Sequence, residues 1–530
     1  MERRTFMQLS AGTIGLAGLE QQVRAKPGGS RQHLFELGVE QALESMRKGE
    51  LSSVELCQYY LDRIKALDES GPELCSVLEL NPDALAQAAD ADRMIKNGAE
   101  LGPLHGLPVL IKANIATADR MGSSAGSIAL HASRPPKNAF LIDQLRRAGA
   151  VILGKTNLSE WANFRSTRSS SGWSSLGGQT RNPYSLDRTP CGSSSGSGVA
   201  VAADLCMLAI GTETDGSIVC PSGINGIVGI KPTVGLVSRS GIVPISHSQD
   251  TAGPMARTVA DAVALLGPMT GFDPEDPATQ EAKSLRDYSK HLITHALKGA
   301  KIGVARQFVD FHPGVSELFQ KALEDLSAAG ATLVEDIEFK EMDVLNQAEF
   351  EVLLYEFKHD LNSYLAKAGV SGEIGSLEAL IAYNSKFAEK TMPWFGQEIF
   401  EMAQKKGPLT DAAYLKALAT CRRITRDDGI DRVVREQQLD AIVAPTNGPA
   451  WKIDWVNGDH YLGGSSTMAA VSGYPSITVP CGYVSGLPVG ISFFGRAYSE
   501  GRLIELGYSY EQKTQHRKPP RFKAFVDLGS

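Results

Sequence analysis

The sequence predicts an α/β protein in which helices cover a β-sheet. Three observations carry that expectation. Segments with helical spacing alternate with short apolar runs of strand length through much of the chain, the pattern of a sheet whose strands are connected through helices. The 530 residues are 42% hydrophobic and 21% charged, enough apolar side chain for a large core in an ordinary globular enzyme. Serine and glycine concentrate in one stretch, residues 191–221, where two small-residue turns flank an apolar segment. The first of these, residues 192–198, is too small-sided for core and too short for a linker, and reads as backbone held close to something.

In chain order, residues 34–67 show helical spacing, interrupted at Lys48-Gly49-Glu50 and restarted by Ser52-Ser53 with Glu55 following, a helix cap. A third helix fits residues 81–97. Gly106-Leu107-Pro108-Val109-Leu110-Ile111-Lys112 reads as a buried strand ending on a lysine. A helix over 139–147, stopped by Gly149, leads to a strand at 150–153. Residues 199–210 suit a short helix and then a buried strand, which delivers the chain into the second turn, Thr212-Glu213-Thr214-Asp215-Gly216-Ser217. Such a turn after a strand can aim consecutive backbone N–H groups at one point.

Beyond it, Ile227-Val228-Gly229-Ile230-Lys231-Pro232 and the stretch to Arg257 read as turns and short strands. Residues 271–283, polar and broken by Asp-Pro, are the best internal linker. A strand at 301–305, a helix at 315–329 and a strand at 331–337 follow. Residues 349–437 are largely helical, 439–444 return to strand, 477–479 and 490–494 form a late pair, and 500–513 close as a helix. No internal repeat is present.

Lys+Arg 53 against Asp+Glu 60 gives 53 − 60 = −7, and no basic stripe offsets it, so nucleic acid is not an expected partner. The seven cysteines, Cys57, Cys75, Cys191, Cys206, Cys220, Cys421 and Cys481, are scattered without a CxxC pair; they support neither a disulfide framework nor a zinc site. Residues 1–25 read as a twin-arginine export signal: Arg3-Arg4, then Thr5-Phe6-Met7, an apolar segment to Leu19, and Val23-Arg24-Ala25 as a cleavage site before Lys26. The apolar part, about 13 residues, is shorter than the roughly 20 of a membrane span. A periplasmic or secreted enzyme is expected, with a cytoplasmic one as the alternative, and no membrane partner.

Two motifs fail on physical grounds. Gly149-Ala150-Val151-Ile152-Leu153-Gly154-Lys155-Thr156 matches the phosphate-loop pattern, but its inner residues are themselves the strand, where a phosphate loop needs exposed backbone. Gly192-Ser193-Ser194-Ser195-Gly196 matches the nucleophile elbow that would make Ser194 the nucleophile, but a polar, two-proline segment precedes it instead of a strand. His247, in Ser-His-Ser, is the one histidine worth testing as that elbow's base.

A third pattern combines Lys112, Ser193 and Ser217. The stretch from Gly106 to Ile115, the Gly192-Ser193-Ser194 turn and Asp215-Gly216-Ser217-Ile218 resemble, in order, the signature pieces of the amidase signature family, as do Ala148 to Asn157, Gly229-Ile230-Lys231-Pro232-Thr233 and Gly486-Leu487-Pro488-Val489-Gly490. The likeness covers about residues 34–513. It implies a mixed β-sheet core covered by helices on both sides, forming one large domain over 34–515 with a helical insert at about 349–437. It also implies a cofactor-free, metal-free amide hydrolase. The matching positions are Ser217 as nucleophile, Ser193, after a cis peptide, as bridging serine, and Lys112 as base, with the N–H groups of Thr214, Asp215, Gly216 and Ser217 as oxyanion hole.

A serine hydroxyl attacks well only when something takes its proton, and a lysine does so only when neutral, which burial favours. Lys112 has that setting, yet so do Lys155 and Lys231, each after an apolar run; residue chemistry leaves the three open, and the resemblance selects Lys112. Many family members carry an aspartate after that lysine, two glycines before the nucleophile and an arginine two places after it. Here Ala113, Asp215-Gly216 and Val219 stand there, an acid and a base lost together. The motif 212–217 looks like the branch that includes bacterial peptide amidases. That lean implies hydrolysis of C-terminal peptide amides to acid and ammonia, with a general aliphatic or aryl amidase as alternative. A reading of another class is the catalytic component of a glutamine-dependent tRNA amidotransferase. The expected substrate pocket is the helical insert with the loops near 451–464.

Overall fold

The computed structural model describes residues 32–367 and 374–526. The expected export signal, 1–25, lies outside the described residues. Among the described residues there are thirteen strands: β1 Val77–Leu80, β2 Pro108–Lys112, β3 Val151–Thr156, β4 Trp173–Ser174, β5 Gly178–Gln179, β6 Leu208–Glu213, β7 Val228–Lys231, β8 Thr251–Ala256, β9 Lys301–Val304, β10 Thr332–Val334, β11 Ala441–Pro445, β12 Ser476–Val484 and β13 Leu487–Phe494. Eleven of them make one mixed sheet in the order β1-β3-β2-β6-β8-β7-β12-β13-β11-β9-β10, and β4 pairs with β5 apart from it. Every residue of β2, β3, β6, β7, β8, β11 and β13 is buried, so helices cover both faces, and these strands read as continuous apolar runs without alternation.

Local chemistry sets the elements. Ser52 Oγ accepts the N–H of Glu55 at 3.0 Å and starts the helix Ser53–Arg63, as the sequence predicts. Ser485 (φ 50°) and Gly486 (φ 78°) form a two-residue connection with both φ positive, the geometry that lets β12 turn tightly into β13. A large apolar cluster spans the strands and the helices packed on them, and a separate cluster joins the helical insert to Trp161, Phe164 and Val243.

Several expectations are corrected. The polar segment 271–283 does not divide the sheet: β9 and β10 lie beyond it yet join the strands that precede it, through β11. The segment is itself packed, with Ser238 Oγ donating to Asp273 Oδ2 at 2.5 Å and Arg239 paired with Asp276. Its prolines and aspartates make local turns instead of a spacer. The helix expected from residue 199 already begins at Ser195, inside the stretch 192–198 read as a turn, and Val219–Ile224 is a helix that the Pro221 and Gly223 punctuation concealed. Strand β8 lies in the stretch to Arg257 read as turns and short strands, and the helix Val259–Met269, which contains Pro268, was not anticipated. Among the described residues no helix is long and apolar enough to cross a membrane.

Candidate active site

Strands β2 and β6 run parallel with Ile111 opposite Ile210, so both end at one edge and deliver Lys112 and the turn 214–217 side by side. Lys112 is fully buried, and its Nζ lies 2.7 Å from Ser193 Oγ, 3.0 Å from Ser194 Oγ, 2.9 Å from Thr212 Oγ1 and 3.1 Å from Thr212 O. Burial pushes its amine down to about 7, partly offset by the negative charges of Glu213 and Asp250. Near neutrality a large share of the amine is therefore uncharged, and the Ser193 hydroxyl can turn its proton onto Nζ.

Ser193 follows a cis peptide from Gly192 and is fully buried. Gly192 is required by contact: a Cβ there would sit 2.1 Å from Ser159 Oγ. Ser217 is 8% exposed, and its carbonyl accepts the N–H of Ser194 at 3.2 Å, which ties the two serine turns together. No hydrogen bond links Ser193 Oγ to Ser217 Oγ. Gly216 has φ 76°, a left-handed conformation that glycine adopts without strain, and delivers Ser217. Glu213 Oε2 accepts the N–H groups of Ile218 (2.7 Å) and Val219 (3.0 Å), so the carboxylate that ends β6 also caps the following helix. Between these anchors, no acceptor among the described residues takes the N–H groups of Thr214, Asp215, Gly216 or Ser217. Four consecutive unpaired donors beside a serine hydroxyl are what a developing oxyanion needs.

The other candidates separate by geometry. Lys155, pushed by burial to about 7, donates to the carbonyl of Ile115, and Lys231, pushed by burial to about 8, donates to Tyr474 O at 2.6 Å and Pro232 O at 3.2 Å. Neither touches a serine, so Lys112 alone of the three meets one. Ser194 Oγ also contacts Lys112, but it is fully buried and donates to Thr212 O at 3.1 Å. His247 lies between Asp360 (2.8 Å) and Glu356 (3.3 Å) and hydrogen-bonds neither serine. Residues 151–156 of the apparent phosphate loop are all strand.

Sequence reasoning missed Thr212, which supplies two of the Lys112 contacts and is itself bonded by Asn114 Nδ2 at 2.9 Å. It also missed the brace around Asp215. Asp215 Oδ2 accepts from Thr467 Oγ1 at 2.8 Å and its carboxyl pairs with Glu349 of the insert, whose Oε1 accepts from Gln249 Nε2 at 2.9 Å. Burial, then the Asp215 charge, push Glu349 far above the ordinary carboxyl range, a shift that favours one proton held between the two carboxyls. Glu213 stands in the motif Thr-Glu-Thr-Asp-Gly-Ser, but its capping role was hidden with the helix it caps, and the other partners come from distant segments.

The largest correction concerns the cysteines. Cys191 and Cys220 form a disulfide with Cα atoms 6.2 Å apart. Spacing hid it because the two meet only when the serine turns pack together. Beside them lie Trp451 and Ala450 of the late loop. Farther out Trp394 of the insert stacks on Trp455 of that loop with ring centres 4.6 Å apart, and Trp451 meets Tyr461 edge-on at 5.6 Å. A cavity of about 770 Å3 opens elsewhere, lined by Lys137, Arg239, His247 and Asp360, and includes none of Lys112, Ser193 and Ser217.

A buried neutral-prone lysine on a serine, next to a turn of free N–H donors, defines the class: a hydrolase acting on amide C–N bonds. Comparison with known proteins gives the family. The family model described as Amidase matches residues 55–504, and the chain belongs to the amidase signature family. It is similar to the native peptide amidase of Stenotrophomonas maltophilia (50% identity, TM-score 0.87, covering 92% of this chain and 99% of that one). It is also similar to a probable amidase of Arabidopsis thaliana, 41% identical over 97% of each chain. A glutamyl-tRNA(Gln) amidotransferase chain of Thermoanaerobacter pseudethanolicus is 34% identical over 92% of this chain and 98% of its own.

Proposed function

We propose that this enzyme hydrolyses carboxamides, with C-terminal peptide amides as the preferred class, through Ser217, Ser193 and Lys112. Ser217 Oγ attacks the carbonyl carbon, its proton passes to Ser193 Oγ, and the Ser193 proton passes to Lys112 Nζ. The oxyanion receives N–H groups of residues 214–217. Collapse of the adduct breaks the C–N bond as Lys112 returns the proton through Ser193 to the leaving nitrogen, which departs as ammonia. Water then cleaves the acyl ester by the same relay. The observation that carries this reading is the 2.7 Å contact from a fully buried Lys112 to Ser193 beside the unpaired N–H groups. The first transfer needs Ser217 Oγ to approach Ser193 Oγ, a closure that catalytic hydrogen bonds commonly make only with substrate bound.

The peptide-amide preference rests on the 50% identity to a peptide amidase and on the indole surfaces of Trp394 and Trp455, suited to the flat groups of a peptide. The amidotransferase reading has the 34% relative in its favour. Against it stand a net charge of −7 and the disulfide, which also supports export to an oxidising compartment. Ammonia release by the lone enzyme across peptide, aliphatic and aryl amides tests the reading. Peptide amides should turn over fastest, and Ser217→Ala should lose at least about a thousandfold in kcat. Full turnover in that variant would overturn the mechanism, and preference for simple aliphatic or aryl amides would overturn the substrate class.

A further inference from the structure

We propose that the Cys191–Cys220 disulfide is a positioning device for the reaction, holding the two serine turns in register, and that the dithiol form of the enzyme is a slow form. The inference rests on the serine assignments above. Cys191 stands two residues before Ser193 and Cys220 three residues after Ser217, so the bond joins positions 29 apart in the chain and closes a ring whose two ends carry the two hydroxyls. Among the described residues it is the one covalent cross-link between the turns.

The remaining ties are hydrogen bonds. Ser194 N–H donates to Ser217 O at 3.2 Å, Ser194 Oγ donates to Thr212 O at 3.1 Å and accepts the Thr212 N–H at 3.2 Å, Lys112 Nζ bridges Ser193 Oγ and Thr212 Oγ1, and Asn225 Nδ2 bridges Pro190 O at 2.9 Å and Pro221 O at 2.7 Å. Around the bond, Ser195 Oγ donates to Cys191 O at 2.6 Å, Cys191 N–H donates to Thr189 Oγ1 at 3.0 Å, and Asn447 Nδ2 reaches Cys220 Sγ at 3.5 Å. Each turn is therefore well held on its own side. What the sulfurs add is the distance between the sides, the coordinate along which Ser217 must approach Ser193. A displacement of about 1 Å at a reacting group can cost about a hundredfold in rate, so a loosened turn acts on kcat before it acts on folding.

Reduction by a dithiol transfers two electrons and two protons to the cysteines and leaves the reagent as its cyclic disulfide. The five other cysteines carry free thiols, and four of them, Cys57, Cys206, Cys421 and Cys481, are buried. In an oxidising compartment the pair stays closed, whereas a reducing one holds the dithiol.

The test uses the full chain in three forms: oxidised, reduced with dithiothreitol under conditions that retain the circular dichroism spectrum, and the double variant Cys191→Ser with Cys220→Ser. Thiol titration in denaturant should give five groups before reduction and seven after, matching five free cysteines among seven. At a temperature well below unfolding, the reduced enzyme and the variant should both lose about tenfold or more in kcat with KM nearly unchanged. They should also react more slowly with a fluorophosphonate serine probe, and reoxidation of the wild type should restore the rate. A stabilising role alone would lower the melting temperature and leave these cold rates intact, which would overturn the proposal. So would seven thiols in a fully active preparation. Should the double variant fail to fold, the reduced and reoxidised wild type decides. If Ser217→Ala keeps its activity, the serine mechanism fails; if that variant is dead while the dithiol form runs at full rate, only the positioning inference fails.

Discussion

Replacing Lys112 by methionine while following kcat/KM against pH probes the base directly. In the wild type the amine is pushed from the ordinary 10.5 down to about 7, chiefly by burial. That gap corresponds to about 5 kcal/mol of bias against the ammonium form. Only the neutral amine accepts a proton, so kcat/KM should rise with pH. It should stand at about a hundredth of its plateau at pH 5 and about a tenth at pH 6, and level off above about pH 8. The stability sign follows: the native pKa is depressed, so the unfolded chain binds more protons between about 7 and 10.5, and this group's contribution to stability rises with pH across that window. Lys112→Met should fold, lose about a hundredfold to ten-thousandfold in kcat/KM, and lose the acid limb. Asp250→Asn should move the wild-type midpoint downward, because the Asp250 charge is one of the two that raise it. The assay is ammonia release under kcat/KM conditions, with circular dichroism checking each variant. A flat wild-type profile from pH 5 to 8 would refute the reasoning. So would a Lys112→Met limb identical to wild type, and a limb that instead follows Lys155 or Lys231 would move the base there.

Gly216→Ala forces a side chain into φ 76° and places its Cβ 3.0 Å from Ser466 Oγ; about 1–2 kcal/mol of strain should appear as lost kcat with a nearly native melting curve, and unchanged kcat would refute the turn's role. Glu349→Gln should keep most activity, because it preserves the donor that the protonated acid offers Asp215. Glu349→Ala should cost about 1–3 kcal/mol in stability or barrier, read by urea titration and kcat; equal behaviour of the two would exclude the shared proton. Arg165→Met leaves the fully buried Glu160 unpaired and should lower unfolding stability by about 3–5 kcal/mol in urea titration, whereas an unshifted midpoint would remove the pair's importance.

Much of the fold was legible because its strands are buried on both faces. Such strands announce themselves as runs like Val109-Leu110-Ile111, and the helices between them carry caps such as Ser52. What escaped was structure with a confusing composition. Val219–Ile224 contains a proline and a glycine, and the helix Val259–Met269 contains Gly267 and Pro268, residues that argue against helix when no packing is in view. At the site, the sequence alone left Lys112, Lys155 and Lys231 equivalent, since each ends an apolar run. Their difference lies in what meets each amine: serines for Lys112, carbonyls for the others. Similarly, Thr467 and Glu349 reach Asp215 from segments more than a hundred residues away, and no local spacing encodes such a meeting.

Strands β2 and β6 stand well inside the eleven-stranded sheet, flanked by β3 and β8, and they hold the reactive groups at their ends. Edges fray, interiors do not. Amide protons of Val109 to Ile111 and Leu208 to Gly211 should therefore exchange with deuterium only when the whole molecule opens. Heat would then abolish turnover together with the collapse of the sheet, not ahead of it, and the chemistry would persist to the brink of melting while outlying segments had already loosened.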